Sequence, residues 1–379
     1  MHPVPLVHTT RSYPASGLSG LSGLSDLSDI SGLSGLSDIS ALSGAPDARD
    51  TFSAHGYLVE NIHMGSVAVV DTDGKLLWYA GDPSALTFTR SALKPFQALP
   101  FVLADGPARF GMNSAELALL CASHSGEPSH LAGVQAILAK IGLDESHLEC
   151  GCGTPLYYDT VGEAPPTYAW RPLHHNCSGK HSGFLAWCRL HDVPGRDYVD
   201  PAHALQQEIR RTLAVTVNMP ASSMPTGLDG CSAPNYALPL DRLAHLFARL
   251  GSGAADRQHG AAMGDLFDAM TAHPHMVSGA QRCDYAYMQA GAGDWVSKVG
   301  ADGVQTIGIR SAGLGIAVKI ADGAARALHT ATFSVLDQLG LLDNARRAML
   351  EQYRQPPLKN ARGLTVGDIR SVLTLRRPG

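Results

Sequence analysis

Residues 172–183 read Pro-Leu-His-His-Asn-Cys-Ser-Gly-Lys-His-Ser-Gly, which gathers imidazoles, a thiol, an amine, hydroxyls and flexible backbone into one short stretch. Cys177 and Lys180 stand three apart, and on a helical turn that spacing puts both side chains on one face. A thiolate binds metal, and an amine does so only after losing its proton, so the pair points to a site that alters its own proton affinities. The plainer alternative is a buried free cysteine beside a solvated lysine.

Three further segments carry reactive groups. Residues 91–94 form a Ser-x-x-Lys unit, Ser-Ala-Leu-Lys. On one helical turn the Lys94 amine can reach the Ser91 hydroxyl and, if burial or a second cation lowers its proton affinity, act as its base. Pro95 keeps the pair at a helix start, where free backbone N–H groups favour developing negative charge. Residues 123–127, Ser-His-Ser-Gly-Glu, offer Ser123 and His124 in a turn after a helix, or a simple Ser/Gly-rich helix end. Lys298 sits on a strand running into a glycine turn, a position that also suits an edge lysine discouraging aggregation.

A second cysteine turn, Asp-Gly-Cys-Ser-Ala-Pro at 229–234, lies far along the chain. Cys177, Cys231 and Lys180 can form a small zinc site with Asp229 as an outer partner. Cys150 and Cys152 are competing ligands, and His124, His174, His175 and His181 are further candidates.

The elements that must position these groups are a mixed set. Residues 65–79 read as strand, turn and strand, with Asp73-Gly74 at the turn. Helices are expected after residue 94, from Asn113 or Ser114 with Glu116 close behind, and over 130–141, 200–215, 240–250 and 327–352. Residues 295–309 and 312–320 read as a hairpin of strands. Strands at both ends with helices between predict a mixed α/β domain whose sheet is completed by distant segments. Residues 16–44 repeat Ser, a small or acidic residue, and Leu or Ile; a period of three builds neither a helical nor a strand face. The chain therefore divides into a disordered low-complexity leader, 1–50, and a catalytic domain, 51–379.

Bulk composition narrows the function. The 379 residues carry a net charge of -5, so no basic excess points to nucleic acid. No apolar run approaches a membrane span, and the N-terminus lacks the charged-then-apolar pattern of a secretory signal. Seven cysteines at irregular spacing suit reduced thiols in a cytoplasmic protein.

Taken together, the segments at 90–97, 122–127, 175–181, 227–234, 273–279 and 298–304 resemble the L-asparaginase II family, the Rhizobium-type asparaginases. They occur in family order from about residue 52 onward, and the leader lies outside the resemblance. The resemblance implies an α+β fold like serine β-lactamases and glutaminases: an antiparallel sheet flanked by helices, with a helical subdomain. It implies hydrolysis of L-asparagine to L-aspartate and ammonia by a homodimer, with two serine–lysine pairs, Ser91 with Lys94 and Ser123 with Lys298. It also implies zinc held by Cys177, Lys180 and Cys231 with Asp229 close by, the metal assisting substrate binding. Arg90, His124 and His181 belong to the matching segments as supporting or substrate-binding residues. One departure is the loop at 150–153, Cys-Gly-Cys-Gly, where a histidine or bulkier residue is expected after the first Cys-Gly. The alternative activity is a glutaminase or another serine amidohydrolase related to β-lactamases. A zinc-stabilised binding protein without turnover is disfavoured by the presence of both serine–lysine pairs.

Overall fold

The computed structural model describes residues 1–12, 57–167 and 169–379. Its strands are β1 (Val4–Ser12), β2 (Tyr57–Asp71), β3 (Leu76–Ala80), β4 (Leu86–Phe88), β5 (Thr226–Leu228), β6 (Pro234–Pro239), β7 (Trp295–Gly300), β8 (Val304–Ile309), β9 (Leu314–Ile320), β10 (Pro357–Lys359) and β11 (Thr365–Ser371). The main sheet is antiparallel in the order β10-β11-β1-β2-β9-β8-β7, with β3 also paired to β2. A small sheet, β4-β6-β5, stands apart.

Period-two alternation explains why helices cover both faces of the main sheet. Along β2, Val67 and Val69 belong to one buried cluster with Tyr287, Leu328, Leu336 and Leu350, which come from the helices Cys283–Gly291, Ala325–Gln338 and Asn344–Arg354. Ala68 and Val70 belong to the other cluster, with the helix Leu240–Ser252 and the helical subdomain beyond it. Each fully buried Val or Leu contributes about 1.5–3 kcal/mol relative to exposure. The helix Leu240–Ser252 lies close against β8 and β9 because two strand positions are glycine. A Cβ on Gly308 would sit 2.1 Å from the Phe247 carbonyl oxygen, and one on Gly315 2.0 Å from that of Ala244.

Several expectations hold. The turn between β2 and β3 falls at residues 71–75, and the Asn113 cap forms with Glu116 as a reciprocal pair (Glu116 N–H to Asn113 Oδ1, 2.9 Å; Asn113 N–H to Glu116 Oε2, 2.7 Å). Others are corrected. Residues 295–309 form two strands rather than one, turning at 301–303. The helix expected over 327–352 is two, interrupted at Gly340, whose φ of 70° leaves the right-handed region.

The division at residue 50 is also corrected in part. Residues 4–12 are an interior strand of the sheet, paired on one side to β2 and on the other to β11, with Leu6 and Val7 fully buried. The repeat at 16–44 lies outside the described residues. Among the described residues, no helix is long and apolar enough to cross a membrane.

Candidate active site

Ser91 lies in a single 3-10 turn, Arg90–Leu93, that runs straight into the helix Lys94–Leu103 with Pro95 in its first turn. The turn hangs on β6. The Thr89 hydroxyl donates to the Tyr236 carbonyl at 2.9 Å, and the Arg90 N–H donates to Asn235 Oδ1 at 3.0 Å. Arg90 has φ 48°, a conformation costly for a residue with a side chain and common where surrounding structure enforces a functional geometry. The Ser91 side chain is half-buried, and no hydrogen bond engages its hydroxyl among the described residues.

Lys94 is fully buried. Its amine donates to Ser123 Oγ at 2.8 Å and to the Ala122 carbonyl at 2.6 Å. Ser123 follows the helix Ser114–Leu120, and its N–H donates to the Val277 carbonyl at 2.9 Å. Lys298, also fully buried, projects from β7 and donates to Asp284 Oδ2 at 3.3 Å and to the Val299 carbonyl at 2.8 Å. Burial lowers its proton affinity to about 8; Asp284 opposes the shift, while Lys94 and Arg282 add to it. Lys94 and Ser123 come together, with Lys298 within electrostatic reach of Lys94, but each lysine's hydrogen-bond partner differs from the expected pairing. Lys94 bonds to Ser123 rather than to Ser91, and Lys298 bonds to Asp284 rather than to Ser123. A buried ammonium must be solvated by acceptors, and these are the ones each side chain meets.

The second set converges on the loop after β5. Helix Ser178–Leu190 presents Lys180, whose amine reaches Cys231 Sγ at 3.0 Å. Gly179 lets this helix pack tightly on the helix Ser114–Leu120, since a Cβ there would lie 2.3 Å from the Leu119 carbonyl oxygen. The Cys177 thiol donates to Asn176 Oδ1 at 2.9 Å and lies beside Cys231; its proximity, with Lys180 and His181 alongside, holds the Cys231 thiol well below its ordinary proton affinity and raises Cys177. Burial works against charge on Lys180, yet Cys231 and Cys177 lift its proton affinity above the usual value. His181 is fully buried, bonds Tyr198 Oη through Nδ1 at 2.8 Å, and lies against Cys231 with its Nε2 lacking a hydrogen bond of ordinary geometry. Cys177, Cys231 and Lys180 offer sulfur and nitrogen donors of the kinds zinc prefers, so their chemistry fits that metal. Cys150 is within electrostatic reach of Cys231, whereas Cys152 is exposed.

Two links join the sets. Arg90 donates through Nε to Asp229 Oδ1 at 2.9 Å and is also paired to Asp302, which ties the Ser91 turn to the Cys231 loop. His124 accepts the Gly126 N–H at Nδ1 (3.1 Å), so its Nε2–H donates to Ser178 Oγ at 2.9 Å and ties the Ser123 turn to the Cys177 helix. Burial, with cations nearby, keeps this imidazole neutral. His174 and His175 flank the same turn, and a groove of about 820 Å³ lined by Thr72, His245, Arg249 and Arg310 lies apart from all of these groups.

Asp284, Arg282 and Asn235 were not singled out by sequence reading. None stands at a diagnostic spacing; only Asn235, directly after the 227–234 segment, had a neighbouring signal.

A buried lysine amine set on a serine hydroxyl, one turn from a second serine, is the equipment of a serine hydrolase. The sequence pattern of L-asparaginase II matches residues 53–371, and the chain belongs to that family; it is an amidohydrolase. No curated protein matches the chain. Among solved structures it is similar to one described as Mglu in its native form, at 12% identity over 74% of this chain and 65% of that one with a TM-score of 0.41, so it spans less than two thirds of that chain. It is also similar to a β-lactamase from Mycobacterium bovis (14% identity, 72% of this chain and 94% of that one, TM-score 0.30). A penicillin-binding protein homologue from Caulobacter crescentus is a third (15% identity, 76% and 98%, TM-score 0.36).

Proposed function

We propose that this chain hydrolyses L-asparagine to L-aspartate and ammonia through an ester on Ser91. The observation that carries the reading is the buried Lys94 amine on the Ser123 hydroxyl, one turn after a half-buried Ser91 hydroxyl that no described side chain engages. Lys94 is the base that takes the Ser91 proton as Ser91 Oγ attacks the side-chain amide carbon. The proton passes through Ser123 to the departing nitrogen, the carbon–nitrogen bond breaks, and ammonia leaves. Water then attacks the aspartyl ester by the same proton path and frees Ser91. Lys298, with its lowered proton affinity, keeps a second amine partly neutral beside the first.

Zinc would be held by Cys177, Lys180 and Cys231, and when bound it would supply fixed positive charge for holding the substrate. Lys180 must give up a proton to serve as a ligand. Arg90 and Asp229 stand between the two centres, where they can orient the charged backbone end of an amino acid, while His124 and His181 brace the loops. All seven cysteines are free, which suits a reducing cytoplasm. A homodimer is the assembly the family resemblance implies.

A glutaminase or another serine amidohydrolase related to β-lactamases is the second reading, because Ser-x-x-Lys with a late Lys-x-Gly does not fix the length of the amide substrate. Ammonia release from asparagine, measured beside glutamine and with opening of a β-lactam, with and without a chelator, separates them. Asparagine should be the preferred substrate; turnover of glutamine or the β-lactam alone overturns the assignment.

A further inference from the structure

Behind the two serine–lysine groups lies a three-residue segment, 282–284, that the reaction above leaves without a role. Asp284 lies in the first turn of the helix Cys283–Gly291 and is fully buried. Its Oδ1 accepts from Ser297 Oγ at 2.8 Å and Gln305 Nε2 at 3.3 Å. Its Oδ2 accepts from the Val299 N–H at 3.0 Å and the Lys298 amine at 3.3 Å. Burial disfavours its charge, but Lys298, the Val299 N–H and Ser297 keep the carboxyl below its ordinary range. Two residues earlier, the half-buried Arg282 guanidinium donates to the main-chain carbonyl of Ser123. The same short segment therefore grips both members of one expected pair: Lys298 through a carboxylate, Ser123 through its backbone.

We propose that Arg282 and Asp284 are positioning residues for amide hydrolysis, Asp284 fixing the Lys298 amine and Arg282 fixing Ser123, so that both stand at a set distance from the Lys94 amine. The proposal rests on the serine–lysine reading given above. Its electrostatics are asymmetric. The charged or titratable groups acting on Lys298 are Asp284 and Cys283 from the helix, Arg282 at its start, Lys94 from the helix Lys94–Leu103, and Cys121 after the helix Ser114–Leu120. Asp284 draws a proton to Lys298, while Arg282 and Lys94 repel it. Deleting the two charges one at a time should move Lys298 in opposite directions, and a loss concentrated in kcat separates positioning from a merely structural role.

The test is the pH profile of kcat/KM for the full chain and for Asp284→Asn and Arg282→Gln, alongside direct titration of Lys298 by NMR of the 15N-labelled lysine amine. In Asp284→Asn the Lys298 limb should move to lower pH by about one unit, and in Arg282→Gln to higher pH, since removing an adjacent charge shifts such a group by about one unit or more. Each variant should lose about 10–100-fold in kcat with a smaller change in KM, as misplacement of reacting groups does. Arg282→Gln, at a half-buried position, keeps the test open if Asp284→Asn does not fold. Unchanged limbs, or limbs moving the same way, overturn the proposal while the wild type still hydrolyses asparagine. A wild type that releases no ammonia from asparagine overturns the functional reading and this proposal with it.

Discussion

Two buried lysines stand in two neighbouring centres, and they are driven in opposite directions. Lys298 is set among Asp284, Lys94 and Arg282, and burial with two like charges brings it down to about 8. Lys180, equally out of water, faces Cys231 and Cys177, which raise its proton affinity in spite of burial. Burial exerts the same pull on both, so the partners decide the outcome. Surplus positive charge makes a lysine fit to trade protons with an alcohol. A sulfur anion makes one that surrenders its proton only to a competing cation such as a metal. The serine centre and the cysteine centre thus use one residue type for two chemistries.

The most drastic way to test that contrast is Ser91→Ala, which should remove turnover of asparagine by about 10⁴-fold or more while leaving the circular dichroism spectrum and unfolding midpoint unchanged. Full retained activity would place the nucleophile elsewhere. Next is Lys94→Met, expected to cost about 10³-fold in kcat, within the range of general acid–base contributions. It should also cost about 1–3 kcal/mol in urea unfolding, because the Ser123 hydroxyl and the Ala122 carbonyl lose their buried donor. Cys231→Ser probes the other centre. It should abolish stoichiometric zinc by elemental analysis and lower kcat/KM about 10–100-fold, mainly through KM; undiminished zinc would dissolve the proposed ligand set.

The smallest effect is the pH dependence itself. With Lys298 acting as a neutral amine, kcat/KM should climb through about pH 8 and then level, and Lys298→Met should erase that limb. The sign for stability follows from the same displacement. Because the folded value lies below the ordinary 10.5, the unfolded chain binds the extra proton between about 8 and 10.5, so this group's contribution improves as pH rises through that window.

Much of both centres was legible because their residue types cluster locally. The pairs Ser91 and Lys94, and Cys177 and Lys180, lie within one turn of chain, and Asn113 announces its helix through Glu116 three residues on. The partners were less legible. Asp284 is one of 34 acidic residues and meets Lys298 only because a helix start is laid against β7. The exchange of lysine partners could not be read either, since it depends on where the helix ending near Leu120 delivers a carbonyl and a hydroxyl. The strand β1 escaped notice for a different reason. A register shift between Pro5 and Val7 breaks the alternation that marks a strand, and a polar repeat follows directly.

That strand has a topological consequence. Ser12 is paired directly with Tyr57, so the chain on either side of residues 13–56 meets at adjacent rungs of the sheet. A protease cutting anywhere in that span would not trim the enzyme. It would yield a two-piece molecule, the short N-terminal fragment still clasped between β2 and β11.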